Sequence, residues 1–337
     1  MSADGLTLLV GTTKGAFLVS GGRDRSGWSI SGPYCDGWPV NHMVGDPETG
    51  RIWAGGGGDW SGASVWTSED HGQRWSRVRL TRGQMDDWAA NEPEIAQMIG
   101  WTPEPPPFGD SFSQVWSLCY AHGKLHVGVK PAGLLVSEDG GASFARVEGL
   151  DRHPSADSWN PGAAGLVLHT IVPHPENPET YWIGISAPGE SDLLYQQNHH
   201  GVWRSADGGR SWDNRTEGLP STFGFPIRVH PRDAQTIWTL PLNGDSAGRY
   251  PPDAAAAVWR SRDGGLSWEA LREGLPQQNC YFTVLRQAMA GDAQEPAGIY
   301  FGTNTGSVFA SLDEGDSWQE IARHLPTVLC VEVLERG

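Results

Sequence analysis

An all-β fold, a β-propeller of four-stranded blades, is what this sequence predicts, and three observations predict it. The octet Ser-x-Asp-x-Gly-x-x-Trp/Phe occurs five times: Ser68-Asp70-Gly72-Trp75, Ser137-Asp139-Gly141-Phe144, Ser205-Asp207-Gly209-Trp212, Ser261-Asp263-Gly265-Trp268 and Ser311-Asp313-Gly315-Trp318. Each copy follows a short β-forming run, such as Ser64-Val65-Trp66-Thr67 or Ala257-Val258-Trp259-Arg260. The boxed Asp residues lie 69 (70 to 139), 68 (139 to 207), 56 (207 to 263) and 50 (263 to 313) positions apart. Periods near 40–50 with β patterning read as blades, and the excess reads as insertions. Within the octet, Asp accepts nearby backbone N–H groups, Gly supplies a positive φ and the aromatic ring packs back over the turn, as a tight hairpin requires.

The blades follow in order. Residues 6–11, 15–20 and 28–31 supply three strands without an inner one, and residues 328–334 supply one strand with nothing after it. Pairing these N- and C-terminal strands closes the ring and leaves no sheet edge exposed. The second blade takes residues 40–44, 51–55, 63–67 and 75–79; the third takes 114–120, 124–129, 133–136 and 143–147. The fourth is irregular. Residues 167–172 and 181–186 make its first two strands, and 193–199 reads as a second copy of the second strand before 201–205. The fifth takes 225–230, 236–240, 257–260 and 268–271; the sixth takes 281–287, 298–302, 307–310 and 318–321. These runs are rich in Val, Ile, Leu, Phe and Trp, and Gly, Pro, Asp and Asn hold the turns between them. The count is six blades, with seven as the alternative, in a single domain spanning residues 1–337.

The octet resembles the Asp-box, or BNR repeat. The chain is similar over nearly its whole length to the Asp-box β-propellers, which include sialidases, sortilin-type domains and photosystem assembly factors. The resemblance implies a complete extra blade between residues 181–186 and 193–199, where this sequence has only 187–192; the alternative of seven rests on that. It bears on fold more than on function, because the group hosts unrelated activities. A sialidase would bring an Arg-Ile-Pro segment near the first strands and an arginine triad. Residues 6–31 have no such segment, and Phe225-Pro226-Ile227-Arg228 stands in the wrong blade and order. A typical sialidase is not expected.

Composition narrows the classes further. The 337 residues are 38% hydrophobic, with 45 Gly and 24 Pro, which suits a turn-rich globular fold with a sizeable core. A formal net charge of −16 argues against a nucleic-acid partner, which needs a basic stripe. No run of 18 apolar residues exists, so no membrane span is expected. The segment Met1-Ser2-Ala3-Asp4-Gly5 lacks the basic and apolar regions of a signal peptide. Cys35, Cys119, Cys280 and Cys330 lack metal-type spacing and read as buried reduced thiols, consistent with a cytoplasmic address.

Where the insertions fall directs the search for a site. In a propeller the links between blades and the turns between second and third strands share one face, opposite the octets. The long insertions 81–113, 148–165, 187–200 and 241–256 all belong to that face, and long loops in a compact domain usually carry function. A ligand is therefore expected at that end of the central channel. Inner-strand ends offer His42, Trp116 and His169. The loops offer Asp59, Trp60, Asp86, Asp87, Glu92, Asp157, Trp159, Gln196, Asn198, His199, Asp245 and Arg249. Aromatic rings stack on sugar faces while amides and carboxylates hold hydroxyls, so Trp116, Trp159, His169, Gln196, Asn198 and Arg249 form a candidate glycan-binding set. The bland alternative is that the loop tryptophans, Trp101 among them, only pack the insertions down. His42, His169 and His199 are the candidate ligands of a divalent metal cofactor, since imidazoles from different blades can converge; each alone is equally a strand-end hydrogen-bonding residue.

Two functions remain. One is a glycoside hydrolase or lyase acting on a small-molecule or glycan ligand, with its acid and base drawn from Asp86, Asp87, Glu92, Asp157 and Asp245. The other is a non-catalytic module that binds or assembles a protein partner. No phosphate loop, nucleophile elbow or Cys/His catalytic pair supports another enzyme class.

Overall fold

In the computed structural model, residues 5–101, 105–154, 159, 165–182 and 192–335 are described, and they form an almost entirely antiparallel β structure. The octets show why. In every copy the Ser hydroxyl donates to the boxed Asp (2.7–3.1 Å) and accepts the Gly N–H (2.7–2.9 Å). The same Asp oxygen accepts the N–H four residues on, at 2.8–2.9 Å. The five octet glycines have φ between 84° and 99°, a region that a side chain would strain. Each octet thereby satisfies its own backbone and joins two strands of one sheet.

The chain falls into two compact units. The first comprises residues 1–12, 17–31 and 172–337. Its strands are β1 (Leu6–Thr12), β2 (Gly15–Gly21), β3 (Ser29–Tyr34), β12 (Val172–Pro173), β13 (Tyr181–Trp182), β14 (Leu194–Asn198), β15 (Gly201–Ser205), β16 (Asp213–Asn214), β17 (Gly224–Val229), β18 (Ile237–Pro241), β19 (Val258–Ser261), β20 (Glu269–Leu271), β21 (Met289–Gly291), β22 (Ile299–Gly302), β23 (Val308–Ser311), β24 (Gln319–Ala322) and β25 (Val328–Glu335). The four-stranded sheets run β25-β1-β2-β3, β17-β18-β19-β20 and β21-β22-β23-β24. The N- and C-terminal strands pair as expected, antiparallel, with Leu6 opposite Glu335 and Val10 opposite Val331. All seven residues of β1 are buried.

The second unit comprises residues 13–16 and 32–171. It holds β4 (Val40–Gly45), β5 (Ile52–Gly58), β6 (Gly62–Ser68) and β7 (Ser76–Arg79) in one four-stranded sheet. A second holds β8 (Gln114–Ala121), β9 (Lys124–Lys130), β10 (Gly133–Ser137) and β11 (Ala145–Arg146). Four antiparallel strands joined in sequence order are the blade unit of a propeller.

Aromatic side chains lock neighbouring sheets to the octets. Trp53 on β5 donates its indole N–H to the Gly140 carbonyl (2.8 Å) in the octet of the next sheet. Trp238 on β18 does the same to Glu314 (2.9 Å). Both rings are fully buried. The core of the first unit centres on Leu8, Val10, Val258, Phe301 and Val331, and that of the second on Trp53, Val65, Val115, Leu118 and Val127. A buried ion pair adds to the first: Arg25 meets Asp292 at 3.2 Å, and Asp292 also accepts the Tyr300 hydroxyl (2.7 Å) and the Gly298 N–H (2.7 Å).

Three regions differ from the expectation. Residues expected as the fourth blade form two separate sheets, β12–β13 and β14-β15-β16, and β14 pairs only with β15 among the described residues. The strand expected at 281–287 is irregular, and the sheet's first strand is instead β21. There the Asn304 side chain accepts the Thr283 N–H (2.7 Å), and Thr283 donates its hydroxyl to the Arg249 carbonyl (2.6 Å), so the backbone leaves the ladder. The insertion read as a loop at 81–113 contains two helices, α1 (Gln84–Asn91) and α2 (Pro93–Met98). Acidic Asp86 and Asp87 sit in the first turn of α1, where the helix dipole favours them, and proline opens α2.

Candidate functional site

In the second unit, the end of the sheets opposite the octets carries a cleft of about 420 Å³. Asp59 from the β5–β6 turn, Arg82, Gln84 and Asp87 from the start of the helical insertion, and Asp110, Ser111 and Ser113 from its return line it. The insertion is held there by its backbone. The Gln84 and Met85 N–H groups bond the carbonyls of Asp59 (2.8 Å) and Trp60 (3.0 Å), and Arg82 N–H bonds that of Gly109 (2.9 Å). Asp87 pairs with Arg82 at 2.6 Å. Asp59 and Asp110 are exposed and make no ion pair among the described residues. Beside Asp59, Trp60 is 48% exposed, and of the 17 tryptophans in the chain only Trp212, at 36%, is also exposed.

Asp86, one residue from this cleft, faces the other way. It is buried, ion-paired with Arg79, and accepts the Gly83 N–H at 2.9 Å. Arg79 also lies 4.7 Å from the Trp101 ring centre, and Arg77 lies 5.8 Å from it and 5.2 Å from Trp66. Burial pushes the Arg77 guanidinium below its ordinary pKa, against the opposing pull of Asp36. Trp101 thus packs the insertion onto β7. Glu92 is exposed at the junction of α1 and α2, where its carbonyl accepts the Ala96 N–H (3.0 Å). Asp157 lies outside the described residues.

The histidines and their neighbours have individual settings. His42 is buried on β4 and its Nδ1 accepts the Leu118 N–H at 2.8 Å. Trp116 donates its indole N–H to His169 Nδ1 at 3.1 Å, the two rings edge to face, with Lys130 Nζ 6.0 Å from the Trp116 ring. Trp159 is half-buried. No group of three or more His, Cys, Asp or Glu among the described residues is arranged to hold a metal ion.

In the first unit the end opposite the octets collects a different chemistry. His199, at the β14–β15 turn, lies on Phe223 with ring centres 4.5 Å apart, and its Nδ1 is 3.8 Å from Asp245. Asp245 pairs with Arg249, whose guanidinium stands 5.9 Å from Phe223 and 5.7 Å from Phe225. Burial lowers the His199 pKa; Asp245 opposes this, and Arg286 and Arg249 reinforce it. Asn198 uses its side-chain oxygen to accept the His200 N–H (2.8 Å), and Gln196 is half-buried on β14. Arg286 went unnoticed in the sequence because it sits in the run Tyr-Phe-Thr-Val-Leu-Arg, read as an inner strand. A lone cation in an apolar alternation was the available signal.

No family model matches the chain. One curated relative, an oligoxyloglucan-reducing end-specific xyloglucanase of Emericella nidulans, is 29% identical over 118 residues. That match covers 35% of this chain and 12% of the relative, so the chain spans about an eighth of its length. Two solved structures align over nearly all of both chains. A candidate 6-phosphogluconolactonase of Bacteroides fragilis matches with TM-score 0.56 at 9% identity, over 99% of each chain. One of Bacteroides uniformis matches with TM-score 0.52 at 11% identity, over 98% of this chain and 99% of that one. At such identities the likeness is one of fold.

Proposed function

We propose that this protein binds a carbohydrate in the cleft of the second unit. The observation that carries the reading is the exposed Trp60 ring beside carboxylates without ion-pair partners among the described residues. A flat indole offers a face for a sugar ring, and Asp59, Asp110, Gln84 and Ser113 offer acceptors and donors to its hydroxyls. If the protein turns its ligand over, Asp59 and Asp110 are the carboxylates to serve as acid and base. The stretch shared with the xyloglucanase makes oligoxyloglucan the first ligand to test. Calorimetric titration should find binding that Trp60→Ala weakens about tenfold without a change in melting temperature. Undiminished binding in that variant would place the ligand elsewhere.

We further read the sheets as blades of one Asp-box propeller, closed through β25 and β1. The separate hydrogen bonding of β12–β13 and of β14-β15-β16 supports seven blades over six. An experimental structure with β13 and β14 adjacent in one sheet would restore six. A protein-binding role has its own observation. Ile95, Met98 and Ile99 of the helical insertion are 41%, 78% and 54% exposed. Replacing all three by Ser should leave sugar binding intact; a loss would tie that surface to the cleft.

A further inference from the structure

Arg286 is half-buried in the first unit, and among the described residues its guanidinium makes one hydrogen bond, from Nη1 to the Gln197 carbonyl, at 3.3 Å. No carboxylate pairs with it among the described residues. The two buried arginines among this unit's described residues are compensated, Arg25 by Asp292 at 3.2 Å, and Arg260 by Glu269 at 2.9 Å and Asp316 at 2.8 Å. A cation withdrawn from water without a counter-charge is costly, and the cost is recovered when an anion arrives.

The groups around it are of matching character. Two residues beyond Gln197, His199 lies against Phe223; Phe223 and Phe225 carry the Arg249 guanidinium; the Arg249 carbonyl accepts from Thr283, three residues before Arg286. Asp245 is shared between Arg249 and His199. With His199 neutral, the charges acting on it among the described residues are the Arg286 and Arg249 guanidiniums and the Asp245 carboxylate, an excess of one positive charge in a chain of net charge −16. Both guanidiniums oppose protonation of His199, against the larger pull of Asp245.

We propose that Arg286 and Arg249 form an oxyanion-binding site for a small molecule carrying one carboxylate, with the His199–Phe223–Phe225 wall taking the ring or apolar face of that molecule. A monoanion balances the single excess charge, and a guanidinium presents the fork that a planar carboxylate accepts in bidentate fashion. The site is independent of the sugar cleft in the second unit.

The test is calorimetric titration of the intact protein at low salt with three probes sharing a pyranose ring: glucuronate, glucose 6-phosphate and glucose. Glucuronate should bind, and Arg286→Met should weaken it at least about tenfold, while Arg286→Lys, which keeps the charge, loses less. The titrations are made in the Trp60→Ala background, which silences the sugar cleft, so that the heat reports this site alone. Melting temperatures within about 2 °C of the parent show that the variants are folded. Glucose 6-phosphate bound more tightly than glucuronate, and lost in Arg286→Met, would overturn the carboxylate assignment in favour of phosphate. Glucose bound as tightly as glucuronate, no heat from any probe up to about 10 mM, or equal affinity in Arg286→Met would overturn the site.

Discussion

The insertion at 81–113 and the insertion at 241–256 join strands at the same end of their sheets, opposite the octets, yet they are anchored by different physics. The first adds a buried charge pair to its backbone hydrogen bonds: Arg79 pairs with buried Asp86 and lies beneath Trp101, while the adjoining cleft is left acidic. The second is tied down by neutral hydrogen bonds. Asn243 accepts the Tyr250 N–H through its side chain (2.9 Å) and donates its own N–H to the Tyr250 carbonyl (2.9 Å). Its charges, Asp245 and Arg249, are exposed enough to meet a ligand. A net charge of −16 therefore says little about either surface.

The largest expected effect breaks the first anchor. Arg79→Met strands the Asp86 carboxylate, whose side chain is only 6% exposed, and should cost about 3–5 kcal/mol. Denaturant titration reads this directly, and hydrogen exchange should show the 81–113 backbone opening first. A loss under about 1 kcal/mol would mean that the pair is solvated and that packing alone holds the insertion.

These anchors also mark where the sequence could be read. The octets were legible because their hydrogen bonds run within eight residues, from Ser68 to Asp70, Gly72 and Arg74, for instance. The β25–β1 pairing was legible because each terminus lacked what the other offered. The helices α1 and α2 were missed because a length excess between octets reads as loop, although Pro93 and the acidic pair Asp86-Asp87 were helix-start signals. Among the site residues, Asp59 and Trp60 lay in a turn adjacent to a strand and were visible. Asp110 and Arg286 were not. Asp110 meets the cleft only through the return of the insertion, and Arg286 stands in a segment that Asn304 pulls out of the ladder from another turn. Long-range side-chain contacts of that kind leave no periodic trace.

A smaller effect sharpens the contrast at the second anchor. Asn243→Ala removes the acceptor of the half-buried Tyr250 N–H and should cost about 1 kcal/mol, with no charge left behind. The Arg249 position should relax, so glucuronate binding should weaken along with stability. A destabilisation as large as that of Arg79→Met would erase the distinction between charged and neutral anchoring.

The smallest effect concerns what the two regions share. Asp70 in the second unit and Asp207 in the first are both held at a pKa of about 2, Asp70 by the hydrogen bond from the Arg74 side chain and Asp207 by that from the Ser211 hydroxyl, with backbone N–H groups adding to each. A depressed folded-state value means that the unfolded chain takes up protons first as pH falls. Each octet's contribution is then complete above the ordinary carboxylate range near pH 4 and is lost as pH drops toward about 2. Both groups are solvent-exposed, so each contribution is small and salt-sensitive. Acid titration of stability should show a common decline over that window, and Asp207→Asn should shallow it while lowering stability slightly at neutral pH. An unchanged acid slope in that variant would show that the octet carboxylates lose nothing on protonation, and would leave the glycine and serine geometry as the whole of the turn's stability.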